Sequence, residues 1–382
     1  VNTGAAPLRE FRELDPWIVG LGLTLLVFGL VMVASASIYV SKAVDGSPWA
    51  IALRQGLFAL VGLGAAAVVL AVPLRVWERF SYLALLGAVA LLAAVLVPHV
   101  GSRVYGSARW IRLGPFELQA SDPALVLYSI YLAGYAVRRN EAIRAGWEGL
   151  LPPLAVAAVL AVLMLLEPDY GGTAVLVVLT GAVLLVAGAR WRDLGILSVL
   201  CLVLFLLLAV SAPYRVARLV AFLHPWRNAL GSGFQLVQSL MAVGHGGWWG
   251  VGLGRSVAKM FYLPEPESDF IFSVIGEELG GVGMLAVMAL YTVLVVRVGR
   301  VALRAFAAGR DYAGYLTVAV ACWIGCDAFI NMGVSLGALP TKGLTLPLVS
   351  AGGSGLVTVL VALALALRAS LESDGRIRGE RT

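Results

Sequence analysis

Charge is what this sequence has least of. Only 13% of its 382 residues are Asp, Glu, Lys or Arg, about half the share of an ordinary soluble domain. Cysteine and histidine are scarcer still, with three of each. Cys201, Cys322 and Cys326 all lie in apolar runs, and although Cys322 and Cys326 share a helix face at i, i+4, no His or further Cys accompanies them. Neither a metal centre nor a disulfide is expected there. Lysine occurs only as Lys42, Lys259 and Lys342, against 25 arginines. With 60% hydrophobic residues and a mean hydropathy of +0.91, this composition excludes a soluble globular protein. The net charge of +6 is what basic cytoplasmic loops give a membrane protein, so no nucleic-acid surface is inferred from it.

What is present is a series of apolar stretches close to the roughly 17–25 residues that cross a bilayer. Ten can be counted, at 17–40, 53–73, 81–100, 121–137, 150–167, 171–189, 193–212, 270–296, 313–337 and 353–370. The expected fold is an all-α, polytopic membrane protein forming a single transmembrane domain over residues 1–382. The first run, Trp17 to Val40, is too long for the apolar core of a cleavable signal and lacks a small-residue cleavage pattern, so it is expected to stay as a span. Arg9, Arg12, Arg75, Arg79, Arg138, Arg139, Arg144, Arg190, Arg192, Arg297, Arg300, Arg304, Arg310, Arg368, Arg376, Arg378 and Arg381 fall on one side of this arrangement, 17 of the 28 basic residues. The positive-inside rule makes that side cytoplasmic. Residues 1–16 and 371–382 are then cytoplasmic, and loops 41–52, 101–120, 213–269 and 338–352 face outward.

Segment 213–269 is too long for a plain connection, and such loops are usually functional. Arg215, Arg218, Arg227, Arg255 and Lys259 alternate there with Tyr214, Phe222, Trp226, Phe234, Trp248, Trp249, Phe261 and Tyr262. Basic and aromatic residues together suit an anionic lipid head group, although an interfacial aromatic belt uses the same residue types. Gln235 to Val243 reads as a short amphipathic helix, followed by a glycine-rich strip from Gly244 to Gly254. The segment ends in Pro264-Glu265-Pro266-Glu267-Ser268-Asp269 and runs into an apolar helix carrying Glu277 and Glu278. A charge in hydrocarbon costs about 2.5–3.5 kcal/mol on insertion scales, so acids at a helix mouth mark a functional site at the water boundary. The plainer reading of Asp269 is a cap that favours the positive end of the helix dipole.

These residues carry a family resemblance. Pro264-Glu265, Asp269-Phe270-Ile271-Phe272 and Gly276-Glu277-Glu278-Leu279-Gly280 resemble the signature of the SEDS family, the FtsW/RodA/SpoVE group of peptidoglycan polymerases. Three more blocks agree in order: Arg109-Trp110-Ile111-Arg112-Leu113-Gly114-Pro115-Phe116, Glu167-Pro168-Asp169-Tyr170-Gly171, and Leu339-Pro340-Thr341-Lys342-Gly343-Leu344-Thr345-Leu346-Pro347. The likeness runs from about Asp15 to Arg368. The last block, with Gly252-Leu253-Gly254-Arg255-Ser256 and Lys259, is more similar to the division branch of the family than to its elongation branch.

The resemblance implies an inverting glycosyltransferase that polymerises lipid II, the undecaprenyl-pyrophosphate-linked disaccharide peptide, on the outer face of the bacterial cytoplasmic membrane during division. A class B penicillin-binding protein and other divisome membrane proteins are the implied partners. A sugar hydroxyl needs a base within hydrogen-bond reach, and Asp269 matches the family's aspartate. The departing pyrophosphate needs positive charge, for which Arg109, Arg215, Arg218, Lys259 and Lys342 are candidates. Trp110, Glu167 and Asp169 join them as substrate-binding candidates. A divalent cation, Mg²⁺ or Mn²⁺, would be shared with the pyrophosphate, since no Asp-rich metal site is visible; no organic cofactor is implied. Glu277, Glu278 and Asp122 are read as structural or supporting. Adjacent helical residues point about 100° apart, so Glu277 and Glu278 are not expected to face one cavity.

The chain departs from the family pattern in places. Leu125 stands where a Lys is common, Asp122 replaces a Glu, Glu267 a His, Ala351 a Tyr and Asp327 a Gln. Two rival readings remain at this level. A lipid II flippase would use intramembrane acids such as Asp327 and Glu277, but no internal repeat of the kind carriers usually have is found. A non-catalytic divisome scaffold gains from the departures.

Overall fold

The computed structural model describes residues 14–97, 101–104, 107–113, 116–211 and 213–373. Ten long helices coincide with the ten expected spans. They are α1 (Pro16–Asp45), α2 (Ala50–Ala71), α4 (Ser81–Leu96), α5 (Ser121–Arg138), α7 (Trp147–Leu166), α8 (Tyr170–Val186), α9 (Trp191–Val210), α12 (Ile271–Ala307), α13 (Asp311–Ser335) and α14 (Gly353–Ser373). Short helices α3 (Leu74–Arg79) and α6 (Asn140–Ala145) lie in connections, and α10 (Pro213–Leu223) and α11 (Phe234–Gly246) lie in the long segment before α12. The expected helix at Gln235–Val243 is thus present within α11. Helices α1, α2, α7, α12, α13 and α14 are each long and apolar enough to cross a membrane, and α4 and α8 are shorter apolar helices. In a bilayer core every backbone polar group must be satisfied within the protein, which is why apolar runs of this length become helices.

One loop departs from the all-helical expectation. Strands β1 (Gly101–Val104), β2 (Ser107–Leu113) and β3 (Phe116–Gln119) form an antiparallel sheet before α5. Trp110 pairs with Ser102 on one side and Gln119 on the other. The Gln119 amide donates to Ser354 Oγ at 3.0 Å, tying the sheet to the start of α14.

Burial separates the interior helices from the lipid-facing ones. Helix α14 buries 78% of its most apolar window inside the protein, and α2 only 22%. Helix α13 packs against α5, α8, α12 and α14 and is buried on most of its surface. Small residues permit the closest approaches, as membrane packing requires. At Gly29 of α1 a Cβ atom would lie 2.4 Å from the Leu348 carbonyl oxygen, so the loop before α14 rests on bare helix backbone there.

Helix α12 is broken at Gly280 (φ 70°, ψ −171°). The carbonyls of Glu277 and Glu278 accept from Val251 N (2.9 Å) and Gly252 N (3.0 Å), while Gly281 N and Val282 N donate to the carbonyls of Gly247 (2.9 Å) and Trp248 (3.2 Å). Those four groups would otherwise bond one another as i→i+4 pairs. The glycine strip therefore inserts into the helix and replaces its missing hydrogen bonds one for one. A Cβ atom on Gly250 would lie 2.2 Å from the Glu278 carbonyl oxygen, and Gly250 has φ 76°, which is why this insertion needs glycine.

Candidate active site

The site is built around residues 339–350, between α13 and α14. Asp269 is half-buried at the mouth of α12, and its Oδ2 lies 2.6 Å from where a Cβ on Gly343 would stand. Only an unsubstituted glycine lets the carboxylate approach the loop so closely. The backbone leading to it is gripped at three consecutive carbonyls. Ala351 N donates to Glu267 O (2.8 Å), Ser350 Oγ to Ser268 O (2.6 Å), and Asn331 Nδ2 to Asp269 O (3.0 Å). Asn331 Nδ2 also reaches Leu344 O at 2.6 Å, so one buried amide on α13 joins the Asp269 segment to the loop that faces it. Phe261 (φ 65°), Glu265 (φ 52°) and Leu348 (φ 67°) hold left-handed backbone in the same segments. Such conformations cost about 1–3 kcal/mol each and persist where the surroundings over-determine them.

The other sequence candidates fall into two groups. Lys342 is half-buried beside Gly343, its ammonium 4.7 Å from the Phe205 ring centroid and 5.7 Å from that of Tyr170. Tyr170 opens α8 directly after Glu167-Pro168-Asp169. Glu167 and Asp169 are both buried, and Asp169 caps α8 by accepting from Gly172 N at 3.1 Å. A Cβ on Gly171 would lie 2.8 Å from the Leu344 side chain, which brings this turn against the same loop. Asp122 and Asp327 line a cavity of about 10 Å³, room for a single water, together with Thr345, Leu346 and Ser350. Asp122, Asp169 and Asp327 interact electrostatically. Loop 339–350 thus gathers Asp269, Lys342, Glu167, Asp169 and Asp122 at one end of the bundle, and Trp110 sits half-buried in the sheet tied to α14.

Lys259, Glu277 and Glu278 belong elsewhere. Lys259, expected to bind substrate, is fully buried, and its Nζ donates to Glu278 Oε1 (2.8 Å) and Ser35 Oγ of α1 (3.1 Å). A buried ammonium with an apolar stem is satisfied only by such a partner, so this lysine is a strut between loop and bundle. Glu277 accepts from Ser256 Oγ, from the amides of Val257 (3.0 Å) and Ala258 (3.2 Å), and pairs with His245 Nδ1 (2.9 Å). Both acids grip residues 256–259, because that loop wraps around the broken helix. Arg218 is exposed on α10. The side chains of Arg109, on β2, and Arg215, on α10, lie outside the described residues.

Glu267 is buried beside the candidate base, with Oε2 unpaired. Burial, and then the nearby charges of Glu265 and Asp269, raise its pKa to about 7. Asn331, Ser350 and Gly343 went unrecognised as site residues from sequence. The available signals were an Asn within the apolar run of α13 and a glycine adjoining the singled-out Lys342.

The chain resembles known proteins over nearly its whole length. The profile of the family described as "Cell cycle protein", covering FtsW, RodA and SpoVE, matches residues 16–375. The probable peptidoglycan glycosyltransferase FtsW of Legionella pneumophila is 44% identical over 98% of this chain and 95% of its own length. The protein of the same name from Halorhodospira halophila is 46% identical, over 98% and 95%. A solved chain from work on structural coordination of polymerization and crosslinking by a peptidoglycan synthase complex superposes with a TM-score of 0.77 at 29% identity, covering 96% of this chain and 99% of that one. The rod shape determining protein RodA of Thermus thermophilus gives 0.68 at 25% identity, covering 96% and 98%. With a profile match over nearly its whole length and relatives above 40% identity, this chain belongs to the FtsW/RodA/SpoVE family.

Proposed function

We propose that this protein is a peptidoglycan glycosyltransferase that polymerises lipid II, with Asp269 as general base. The observation that carries the reading is the Asp269 carboxylate held against Gly343, beside Lys342, by three gripped carbonyls. The basic residues of the intervening loops put both termini in the cytoplasm and residues 213–269 and 338–352 outside, so the base faces the compartment where glycan strands grow.

In the proposed step, Asp269 accepts the proton of the acceptor GlcNAc 4-hydroxyl as its oxygen attacks the anomeric carbon of the growing strand. The bond from that carbon to undecaprenyl pyrophosphate breaks with inversion, converting an α-linked donor into a β-1,4 link. The leaving pyrophosphate takes the electron pair, and the proton passes from the Asp269 carboxyl to water. Lys342, next to Gly343 in the loop that meets the base, is assigned to the leaving group. Among the described residues no three His, Cys, Asp or Glu side chains converge to hold a metal. A divalent cation bound with the pyrophosphate would offset its charge. By analogy with the peptidoglycan synthase complex that it resembles, the chain works beside a class B penicillin-binding protein, and its similarity to FtsW proteins favours the division septum.

The test is Asp269→Asn, which keeps size and hydrogen bonding but cannot take a proton. Polymer formation from purified lipid II in detergent should fall by about 10²–10⁴-fold, with insertion and partner binding intact. Intramembrane acids such as Asp327 and Glu277 are what a carrier reading would use. Detergent-solubilised protein with no sealed compartment separates the two, because only a polymerase turns over lipid II there. An Asp269→Asn protein as active as the parent would remove the base assignment.

A further inference from the structure

At the end of α12 remote from Asp269, the chain builds a groove that the polymerase reading does not use. It lies between the first turn of α1 and α12, is lined by Trp17, Thr292, Val293, Val296, Arg297 and Arg300, and encloses about 380 Å³. That volume falls within the roughly 300–1,000 Å³ typical of small-ligand sites. The α12 residues recur at i, i+1, i+4, i+5 and i+8, so they form one continuous stripe of the helix, apolar along most of its length and ending in two guanidiniums. Trp17, which is 58% exposed, forms the opposite wall.

Arginines crowd this end of the groove. Asp15, buried at the N-cap of α1, accepts from Arg297 Nε (3.0 and 3.1 Å) and pairs with Arg297 (2.9 Å) and Arg304 (3.0 Å). Burial alone would raise its pKa, but these arginine hydrogen bonds outweigh it and hold the carboxyl below its usual range. One carboxylate thus serves two arginines. Arg300 lies between them in sequence, on the exposed side of the helix, and makes no ion pair among the described residues. Among the described residues Arg300 thus presents a guanidinium with no carboxylate partner, next to an apolar trough toward the C-terminal end of a 37-residue helix.

We propose that this groove binds one anionic phospholipid, its phosphate on Arg300 and the free edge of Arg297, and an acyl chain between Trp17 and the Val293–Val296 stripe. Charge complementarity selects the occupant. An apolar partner helix would leave Arg300 uncompensated, a zwitterionic lipid would bring a second cation to it, and a free phosphate would leave the apolar wall unfilled. Basic pockets between membrane helices recognise anionic head groups in this way.

The experiment is native mass spectrometry of the purified full-length protein with phosphatidylglycerol or phosphatidylcholine in the micelle. One phosphatidylglycerol should be retained in preference to phosphatidylcholine. Arg300→Gln should weaken that preference about fivefold, the fold-change equivalent to ~1 kcal/mol per basic residue near a lipid surface. Trp17→Ala should lower retention of both lipids alike. Arg192→Gln, an equal charge change on the exposed start of α9, should leave the preference unchanged. Equal retention by Arg300→Gln and the parent, or an equal loss in Arg192→Gln, would overturn the proposal. A photocrosslinker at Val296 in native membranes gives an independent readout: a lipid adduct supports the site, and a protein adduct reassigns the groove to a partner helix.

Discussion

Replacing Gly343 by Ala tests whether the position of Asp269, as well as its chemistry, limits the reaction. The new Cβ would stand 2.6 Å from Asp269 Oδ2, whereas ordinary van der Waals contact begins near 3.4 Å. The carboxylate must therefore retreat by about 0.8 Å. A displacement of about 1 Å at a reacting group costs on the order of 10²-fold in rate, so polymerisation should fall by about that factor, mainly in kcat. Stability should move the other way or not at all. Gly343 is exposed and its φ is not positive, so alanine fits the backbone and stabilises by ~0.4–1 kcal/mol through the unfolded state. Lipid II polymerisation on gels, with thermal unfolding in the same detergent, reads both quantities. Gly299→Ala on α12, where a Cβ meets nothing within 4 Å, is the control. If Gly343→Ala polymerises within twofold of the parent, the contact between the loop and Asp269 does not set the reaction geometry. A large fall in thermal stability would instead point to a misfolded loop.

Three further outcomes follow from the same geometry. Lys259→Met leaves Glu278 buried without its cation and should cost about 3–5 kcal/mol; the double variant Lys259→Met/Glu278→Gln should recover part of that loss in thermal unfolding. Asn331→Ala abandons the carbonyls of Asp269 and Leu344 and should cost about 1–3 kcal/mol for each buried acceptor left unpaired, with activity falling and Asn331→Asp failing to rescue it. Glu267 binds its proton more tightly folded than unfolded, with a pKa of about 7 against 4.5. Its contribution to stability is therefore fully present below about pH 4.5 and is lost as pH rises through 7. Unfolding followed across that range should show a decline that Glu267→Gln flattens; an unchanged slope would show that Glu267 is not the group responsible.

The sequence by itself determined where the ten long helices lie, because whether a segment can cross lipid depends on the summed hydropathy of some twenty neighbouring residues and little else. It also marked Asp269, Lys342 and Glu167-Pro168-Asp169, since polar residues at span mouths are conspicuous against an apolar background. Tertiary structure alone decided which of these meet. Asp269 and Gly343 are brought together by Asn331, whose amide reaches a carbonyl 62 residues away in the chain, and no local pattern encodes such a contact. Lys259 looked like a substrate-facing cation until folding placed it on Glu278 and Ser35. Glu277 and Glu278 were separated by helical periodicity on paper. They share one loop in the protein because the break at Gly280 lets the glycine strip enter the helix and carry residues 256–259 around both carboxylates. The small sheet of β1, β2 and β3 was missed for a related reason: its strands are too short to carry a strong pattern, and pairing between them and docking on α14 hold it together. Hydrophobic spans are a property of sequence neighbours, while a polar site inside a membrane protein is a property of spatial neighbours, fixed by which buried groups must find partners.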